Sequence, residues 1–391
     1  MQTSVSKQLT ELKQQDAYRK RRPLDSPQGV QVTIDGQSFL SFCSNDYLGL
    51  ANDKRICQAA TEAISKFGVG SGASQLISGY SSAHASLEEK LADYLGYQRC
   101  VLFSSGYLAN LGVISAFSSR HQLILEDRLN HASLIDAAKY AGSVLKRYHH
   151  RDIQHAKDVL EGHQSSSRLI VSDGVFSMEG SIAPIDQLYE LKSSPNDKLI
   201  IDDAHGIGVL GKDGKGSIEH TGTDSSKVDI LIGTFGKSFG SSGAFVLADN
   251  DSIDYLIQKA RTLIYNTSPP AALAAAAQQS LNIIINEPER RQRLHSNIDY
   301  FRKQLSETRL TLLDSITAIQ TIIIGENKKT VWFSQQLEKY GLLVLAIRPP
   351  TVPNNTARLR ITLSSEHTHQ NIDQLVDALV KIDAIESQQL N

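Results

Sequence analysis

The 391-residue sequence is poor in cysteine and in net charge, and each shortage argues against a class of protein. Its three cysteines, Cys43, Cys57 and Cys100, form no CxxC pair and leave an odd number, so neither a disulfide framework nor a cysteine-rich metal site is expected. The formal net charge is −2, which provides no global attraction to nucleic acid or to a membrane surface. We therefore expect a reduced, cytoplasmic protein that binds neither.

Long apolar runs are also missing. No segment approaches the roughly 20 apolar residues of a membrane-spanning helix. The first nine residues lack the apolar core of a signal peptide. A hydrophobic content of 40% with 21% charged residues is typical of a soluble globular chain, and the length favours two domains over one.

From about residue 55 onward, helix-like and strand-like segments alternate. The predicted strands are Cys100–Phe103, Leu123–Leu125, Leu169–Val171, Leu199–Ile201, Ile230–Ile232 and Phe245–Leu247. Segments of helical character, such as 133–141 and 184–192, lie between most of them. This order predicts an α/β fold with a mainly parallel central sheet, covered on both faces, that binds ligands at the carboxyl ends of its strands.

Both ends of the chain have a different pattern. A polar helix is predicted over residues 1 to about 20, followed by a hairpin around Asp35-Gly36. Beyond a charged helix at 287–305, the predicted order is strand 318–324, helix 330–340, strands 342–347 and 358–363, and helix 369–385. We predict an N-terminal helix and hairpin segment (1–44), a large ligand-binding domain (45–286) and a small C-terminal α+β domain (287–391).

A single lysine, Lys237, lies in the glycine-rich segment Thr234–Gly243 between two apolar strands. A lysine held inside a protein has a lowered pKa or is covalently engaged, because an unpaired buried ammonium is costly. Lys237 is therefore a candidate Schiff-base lysine. The alternative is an ordinary loop lysine after an edge strand.

Polar residues follow several of the predicted strands. Strand alternation sends Asp202 and Asp203 to opposite sides, so at most one of them faces a given ligand. His131 follows another strand, where a structural role is the alternative to a catalytic one. Ser105-Gly106-Tyr107 stands between a strand and a helix, where free backbone N–H groups can hold a phosphate.

Three other site types are disfavoured. Gly206–Gly211 matches the GxGxxG pattern, but turn residues follow it instead of the helix that a dinucleotide site requires. Gly236-Lys237-Ser238 resembles the end of a Walker A loop, but Leu231 occupies the position of its first glycine. A metal site that combines Asp202 with the histidines of 149–155 and 367–369 is an alternative, although those histidines are interpreted as surface loops or helix starts.

Taken together, these motifs resemble the α-oxoamine synthases, a family of pyridoxal 5′-phosphate (PLP) enzymes with fold type I, the aspartate-aminotransferase-like fold. The matching segments are Ser44–Leu50, Gly70–Gly72, Ser105–Tyr107, Asn130–Ser133, Asp173–Met178, Asp202–Gly206, Thr234–Lys237, Ile347–Pro353 and Ala357–Thr362. They extend over nearly the whole chain, so their ordered combination is specific although no single member is. Glu179 and Asn266 depart from the family pattern, which has aspartate and serine there.

The resemblance assigns cofactor binding to the following residues: Ser105, Gly106, Tyr107, His131, Ser177, Asp202, His205, Thr234, Lys237, Asn266 and Thr267. It implies that Lys237 links covalently to PLP and later moves the substrate Cα proton. Asp202 is expected to pair with the ring nitrogen and His131 to stack on the ring. These three are the expected catalytic residues.

The remaining cofactor contacts follow from the same resemblance. Ser177 and His205 are expected at the phenolic oxygen of PLP, and Thr234 with the backbone of Gly106 and Tyr107 at its phosphate. The segments Gly70–Gly72 and Asn266–Thr267 are expected to come from a second subunit. A homodimer with active sites at the subunit interface follows.

Arginines are the expected substrate-binding residues, because a guanidinium grips a carboxylate in a bidentate way. The resemblance places the amino-acid carboxylate at Arg360 with Asn45, and the far carboxylate of a pimeloyl chain near Arg348 and Arg19. The rest of the basic run, 20–22, is interpreted as solvated surface.

The implied reaction is a decarboxylative condensation of L-alanine with a pimeloyl thioester in biotin synthesis, with coenzyme A or an acyl carrier protein as the thiol. A sibling enzyme that uses glycine or serine with another thioester, such as a glycine C-acetyltransferase, is the alternative. A non-catalytic partner subunit of the same fold is the third candidate.

Overall fold

The computed structural model describes residues 4–163, 165 and 167–389. The strands are β1 (Gln31–Ile34), β2 (Gln37–Ser41), β3 (Arg99–Phe103), β4 (Leu123–Asp127), β5 (Val144–Tyr148), β6 (Arg168–Asp173), β7 (Lys198–Asp202), β8 (Ile230–Thr234), β9 (Ala244–Ala248), β10 (Ile319–Gly325), β11 (Leu342–Leu343), β12 (Leu345–Ile347) and β13 (Ala357–Thr362). The helices are α1 (Val5–Gln14), α2 (Lys54–Phe67), α3 (Ser82–Leu95), α4 (Gly106–Phe117), α5 (Ala132–Ala141), α6 (Ile153–Glu161), α7 (Ile185–Tyr189), α8 (Ser217–His220), α9 (Asn250–Lys259), α10 (Arg261–Ile264), α11 (Ala271–Asn286), α12 (Pro288–Ser306), α13 (Asn327–Lys339) and α14 (His369–Gln389).

The chain forms two compact units. The larger unit contains the described residues of 50–177 and 182–291, and the smaller unit those of 1–49, 178–181 and 292–391. The boundaries predicted from the sequence at residues 44 and 286 stay a prediction. Within the described ranges, none of the helices combines the length and the apolar character that crossing a bilayer takes.

The larger unit is built on a seven-stranded sheet in the order β3-β9-β8-β7-β6-β4-β5. Neighbouring strands from β8 to β5 run parallel, and β9 is antiparallel to both β8 and β3. The prediction of a mainly parallel sheet is therefore confirmed. The sequence analysis missed β5, because the charged Lys146 and Arg147 interrupt its apolar pattern, as is common in an edge strand.

Local sequence explains where two helices of this unit begin and end. In α4, the Ser105 hydroxyl caps the first turn by accepting a hydrogen bond from Leu108 N at 3.3 Å. The helix α3 starts at Ser82, with Ser81 as its N-cap residue. It ends at Leu95, and the C-cap residue Gly96 follows with a φ of 77°, the left-handed conformation that favours glycine.

An aromatic cluster lies beside the glycine-rich loop that joins β8 to β9. The rings of Phe235 and Phe239 pack on Phe245, with centroid separations of 5.0 and 6.1 Å. All three side chains are buried, which stabilises the loop by about 2 to 3 kcal/mol for each ring. At Gly240, a Cβ atom would lie 2.3 Å from Ala51 N, so only glycine fits there. These contacts fix the backbone on both sides of Lys237.

The smaller unit contains two three-stranded sheets, β1-β2-β11 and β10-β13-β12. The predicted hairpin is confirmed, with Ile34 opposite Gln37 across Asp35-Gly36. The prediction of one strand over 342–347 is wrong, because the chain leaves the first sheet at the buried Val344 and then joins the second one. A run of apolar residues cannot reveal such a change of partner.

The N-terminal helix is shorter than predicted. It ends at Gln14, and Asp16 follows with a positive φ of 52°, which an α-helix cannot accommodate. The basic run Arg19–Arg22 consequently lies outside the helix, in chain without regular secondary structure.

Candidate active site

Polar side chains of the larger unit gather where the parallel strands end. Asp173 closes β6, Asp202 closes β7 and Thr234 closes β8, while His131 follows β4. Carboxyl ends of parallel strands meet at the same edge of a sheet, which is where open α/β folds bind ligands. The fold thereby brings residues together that are more than 100 positions apart in sequence.

Asp202 is 6% exposed and is held by two donors. Asn110 Nδ2 donates to Oδ2 at 2.6 Å, and Ala204 N donates to Oδ1 at 3.1 Å. Asp203 has a different partner, Ser217 N, at 2.7 Å, and burial raises its pKa to about 7. The two acids therefore have separate environments, as strand alternation predicts.

His131 caps the helix α5 and is joined to Asp202 through two side chains. Asn110 Nδ2 donates to Ser133 Oγ at 2.7 Å, and this hydroxyl lies 2.7 Å from His131 Nδ1. Since Ser133 Oγ already accepts one hydrogen bond, its own proton is available for Nδ1, which Ser133 N also contacts at 3.3 Å. With Nδ1 as acceptor, the neutral ring carries its proton on Nε2.

Burial favours that neutral ring of His131. Burial lowers its pKa, the Asp202 carboxylate acts in the opposite direction, and the Lys237 ammonium lowers it further. The electrostatic influence of both groups on the imidazole also indicates that Lys237 and Asp202 lie in its vicinity. The structure thus brings the three expected catalytic residues together.

Asp173 is an acid of this site to which sequence analysis assigned no role. Its side chain is 4% exposed, and Oδ2 accepts a hydrogen bond of 2.7 Å from His131 N. Burial, and next the charge of Asp202, raise the pKa of Asp173 well above its usual range. The available signal was its position at the end of a strand, the same as that of Asp202.

Lys237 is half-buried in the loop between β8 and β9. Its carbonyl accepts a hydrogen bond of 2.8 Å from Gly240 N, and the next residue, Ser238, donates its hydroxyl to Ile207 O at 2.6 Å. Thr234 Oγ1 donates to Gly243 O at 2.9 Å and accepts from Gly236 N at 3.2 Å. A hydrogen bond from Thr234 to an anion thus requires its hydroxyl to rotate away from Gly243.

The predicted phosphate site lies at the start of α4. Gly106 has no neighbouring atom within 4 Å of the position that a Cβ would take, so the space in front of the helix is open. Tyr107 follows, half-exposed, with its hydroxyl donating to Asp136 at 2.7 Å. Asn266 Nδ2 donates to Ser104 Oγ at 2.7 Å, which joins the 266–267 segment to this loop.

The other predicted cofactor residues belong to the larger unit as well. Ser177 is half-buried and His205 is 8% exposed, whereas Thr267 is exposed. Ser105 is engaged as the cap of α4 and accepts from Leu108 N.

The four predicted substrate-binding residues all belong to the smaller unit. Arg360, 7% exposed, donates from Nη2 to Asn45 Oδ1 at 3.2 Å, so this predicted pair is in contact. Arg348 donates to Asp16 O, and Arg19 donates to Thr351 Oγ1 at 3.2 Å. Burial, and next the charge of Arg19, lower the pKa of Arg348, which indicates that the two guanidinium groups are near each other.

The ion pair of Arg358 is another feature that the sequence pattern does not reveal. This arginine is 4% exposed and donates to Glu179 Oε1 at 2.8 Å. Arg358 and Arg360 are alternate residues of β13 and share one face of it. Glu179, noted only as a departure from the family pattern, therefore neutralises the arginine beside the expected substrate arginine.

The histidines weighed as metal ligands have other partners. His155 accepts from His149 N at 2.9 Å, and the two rings stack. His367 accepts from Ser364 N at 2.9 Å, and its Nε2 contacts Ser41 O at 3.0 Å. Among residues 4–163, 165 and 167–389, no group of three or more His, Cys, Asp or Glu side chains is arranged to hold a metal ion.

Curated proteins similar to this chain match it nearly from end to end. A protein named 8-amino-7-oxononanoate synthase from Methylococcus capsulatus is 47% identical over 371 residues, which cover 95% of this chain and 96% of that protein. A protein of the same name from Hahella chejuensis is 48% identical over 377 residues, covering 96% of this chain and 95% of that protein.

Solved structures are similar over the same extent. The 8-amino-7-oxononanoate synthase of Francisella tularensis is 31% identical, with a TM-score of 0.79 and coverage of 89% of this chain and 99% of that one. A serine palmitoyltransferase variant from S. paucimobilis with a bound PLP–myriocin aldimine is 26% identical, with a TM-score of 0.92 and coverage of 97% of both chains. The expected fold type I is therefore confirmed.

The model of the family described as aminotransferase class I and II matches residues 37–379, most of the chain. Together with the near-complete coverage of the curated relatives, this match shows that the chain belongs to the class I and II aminotransferase family and, within it, to the 8-amino-7-oxononanoate synthases.

Proposed function

We propose that this protein is a PLP-dependent acyltransferase that condenses L-alanine with a pimeloyl thioester, giving 8-amino-7-oxononanoate, carbon dioxide and a free thiol for biotin synthesis. The observation that carries the proposal is the chain of hydrogen bonds from Asp202 through Asn110 and Ser133 to His131. Lys237 lies within electrostatic range of the same imidazole. The chain therefore has an amine, a buried acid and a neutral imidazole at one sheet edge.

The residues present fit PLP. The open space in front of Gly106 at the start of α4 suits a phosphate, because free backbone N–H groups and the helix dipole point there. The buried Asp202 carboxylate suits a protonated ring nitrogen, and Lys237 supplies a primary amine for a covalent link. Ser177 and His205 are proposed to contact the phenolic oxygen, and Thr234 with Ser105, Gly106 and Tyr107 the phosphate.

When bound, PLP supplies a ring that accepts electrons from a carbanion at the amino-acid Cα. Asp202 supports this by holding a proton on the ring nitrogen, and Asn110 fixes the orientation of that carboxylate. Lys237 would hold PLP through its primary amine, and its Nζ would accept the Cα proton of alanine.

His131 is proposed to act on the second substrate. Its Nδ1 accepts from Ser133, so the Nε2–H is the donor that remains for the thioester carbonyl. A donor at that oxygen stabilises the negative charge that develops during attack by Cα. The neutral ring is also suited to stack on the cofactor.

Arg360 and Asn45 are proposed to bind the alanine carboxylate. The existing hydrogen bond from Arg360 to Asn45 holds the guanidinium in place before a substrate arrives. Arg348 and Arg19, close enough to influence each other, are proposed to bind the far carboxylate of the pimeloyl chain. A short acyl chain lacks that carboxylate, which favours pimeloyl over the acetyl group of the sibling enzymes.

We further propose a homodimer with shared active sites. Exposed apolar side chains, Val69, Ile77 and Tyr265, are 75%, 79% and 71% exposed and flank the segments 70–72 and 266–267. A second copy of the chain is the proposed cover for this surface. Its Asn266 and Thr267 would then reach the phosphate of the first copy.

Mixing two inactive variants tests the shared site. Lys237→Ala lacks the amine, and Thr267→Glu places a negative charge against the phosphate. A mixed dimer contains one site with both native residues, so the mixture should regain activity. Absence of any regain, in a mixture shown by mass spectrometry to contain mixed dimers, would mean that each chain builds its own site.

The thiol carrier is proposed to be coenzyme A or an acyl carrier protein, and the compartment is proposed to be the cytoplasm.

Residues 45–286 are proposed as the cofactor-binding domain. The helix and hairpin segment 1–44 precedes it, and the C-terminal domain 287–391 follows it.

Trapping with borohydride tests the cofactor and the lysine together. Reduction of the purified holoenzyme should fix one PLP on the peptide that contains Lys237, as read by mass spectrometry. Lys237→Ala should give no modified peptide and no turnover. Modification of another lysine, or turnover without Lys237, would refute the assignment.

A further inference from the structure

Two prolines limit the backbone hydrogen bonds that the segment Asn266–Pro270 can make. Pro269 and Pro270 have no backbone N–H, and α11 starts directly afterwards without a side-chain cap on its first turn. The carbonyl is therefore the one backbone hydrogen-bonding group of Pro269. A hydrogen bond that holds Pro269 itself must therefore come from a donor elsewhere in the chain.

Two side chains supply those donors. Ser71 Oγ donates to Pro269 O at 2.7 Å, and His84 Nε2 lies 2.8 Å from the same oxygen. One carbonyl oxygen has two lone pairs, so these two contacts saturate it. His84 is 1% exposed, which is more buried than the intermediate accessibility typical of histidine.

The tautomer of His84 follows from its other nitrogen. Nδ1 accepts from Ser81 N at 3.0 Å and lies 2.8 Å from Ser81 Oγ. A nitrogen that accepts from a backbone N–H carries no proton, so the neutral ring has its proton on Nε2, directed at Pro269 O. Burial lowers the pKa of His84, which favours the same neutral form.

Further contacts join the segments 70–74 and 266–269. Ser268 N donates to Ala73 O at 3.0 Å, and Thr267 forms an antiparallel bridge with Ser74. Gly79, in the turn Gln75–Gly79 that follows, approaches closely: a Cβ on it would lie 2.2 Å from Ala73 O and 2.8 Å from Ser268 Cβ. Hydrogen bonds and close packing therefore hold the segments 70–74 and 266–269 together.

We propose that His84 is a positioning residue for PLP binding, which fixes the segment Asn266–Thr267 in a phosphate-binding geometry by holding the Pro269 carbonyl. The assignment rests on the proposed function, since it takes the ligand of this segment to be the PLP phosphate. His84 itself touches no substrate or cofactor. It acts through two residues of backbone on Thr267, whose side chain is exposed.

The two nitrogens of His84 can be separated by substitution. Asparagine places its amide oxygen near the position of Nδ1 and keeps an acceptor for Ser81 N, but has no donor that reaches Pro269. Glutamine places its amide nitrogen near the position of Nε2 and keeps that donor, but has no acceptor for Ser81. His84→Asn therefore removes the hydrogen bond to Pro269 O, whereas His84→Gln removes the acceptor for Ser81 N at the start of α3.

The experiment measures PLP release from the holoenzyme by loss of protein-bound absorbance, together with the melting temperature. For His84→Asn, release should be about tenfold faster, the effect of one lost hydrogen bond to a buried acceptor. For His84→Gln, release should remain close to that of the wild type, while the melting temperature falls by a few degrees through loss of the cap. The exposed His121→Asn serves as the control and should change neither quantity.

Ser71→Ala keeps the assignment testable if His84→Asn does not fold. It removes the second donor to Pro269 O from a half-buried position and should accelerate release several-fold at an unchanged melting temperature. Equal release from His84→Asn and His84→Gln, or wild-type release from Ser71→Ala, would overturn the assignment. Wild-type protein that retains no PLP would instead overturn the proposed function itself.

Discussion

The side-chain amide of Asn110 donates two hydrogen bonds, one of 2.6 Å to Asp202 Oδ2 and one of 2.7 Å to Ser133 Oγ. Through Ser133, this one buried residue of α4 connects Asp202, the proposed partner of the ring nitrogen, to His131, the proposed partner of the thioester carbonyl. Fixed orientation of a buried carboxylate is what allows it to stabilise a charge without rearranging during the reaction.

Asn110→Ala should lower the affinity of the protein for PLP. The change removes a charge-assisted hydrogen bond from Asp202, and such bonds contribute about 1.5 to 3 kcal/mol. We expect PLP affinity to fall by about ten- to hundredfold, measured by equilibrium titration of the full-length protein. Asn286→Ala, at an exposed helix end, is the control. Unchanged affinity in Asn110→Ala would contradict the role of Asn110.

Ser133→Ala should lower kcat without reducing the amount of bound PLP. Without the Ser133 hydroxyl, His131 Nδ1 loses its donor at 2.7 Å and keeps only the longer contact of 3.3 Å from Ser133 N, so the proton is held less firmly on Nε2. We expect kcat to fall by about tenfold at unchanged PLP content. Ser143→Ala is the control: it removes a hydroxyl that donates to Ser119 O at 2.9 Å, not to His131, and it should be neutral. A variant with wild-type kcat would show that His131 does not need this tautomer.

Arg348→Gln should change the acyl preference. Loss of a guanidinium that binds a far carboxylate costs about 1.5 to 3 kcal/mol, so kcat/KM for the pimeloyl thioester should fall by about ten- to hundredfold. Thioesters of the same length without the far carboxylate should be nearly unaffected. Arg21→Gln, in the exposed basic run, is the matched control. Equal losses for both types of thioester would contradict the assignment.

Glu126 should make stability dependent on pH. It is fully buried, neither carboxylate oxygen has a hydrogen-bond partner among the described residues, and burial raises its pKa from 4.5 to about 8, against the opposing charges of Arg147 and Lys139. Over that pH range the folded state keeps a proton that the unfolded state has lost. The free energy of unfolding should therefore fall as the pH rises from 4.5 to 8.

Glu126→Gln removes this titration, so its melting temperature should exceed that of the wild type by more at pH 8 than at pH 5. The pH-dependent difference in the free energy of unfolding should be on the order of a few kcal/mol. Glu161→Gln, on the exposed end of α6, should not alter the pH dependence. Parallel pH curves for wild type and Glu126→Gln would refute this prediction.

The sequence predicted the elements whose signal is local. Alternating apolar segments gave the parallel strands, and the positions of Asp202, His131 and Thr234 after three of them placed these residues at one sheet edge. Lys237 was identified from its glycine-rich surroundings and from the order of the motifs. Their assignment to individual PLP atoms stays a prediction.

Contacts between segments that are distant in the chain could not be predicted from local sequence patterns. Asn110 lies in the middle of an apolar helix and has no pattern of its own, yet it reaches Asp202 across 92 positions. The pairing of Glu179 with Arg358 depends on how two segments of the smaller unit fold together. The division of 342–347 between two sheets likewise depends on tertiary packing, because both halves are equally apolar.

Product formation from defined substrate pairs tests the central claim most directly. Purified protein should be given L-alanine, glycine or L-serine, each with pimeloyl, acetyl or long-chain acyl thioesters, and the carbon dioxide and amino ketone should be quantified. The account predicts the highest kcat/KM for L-alanine with the pimeloyl thioester, with 8-amino-7-oxononanoate as the product. A preference for glycine with the acetyl thioester would contradict it.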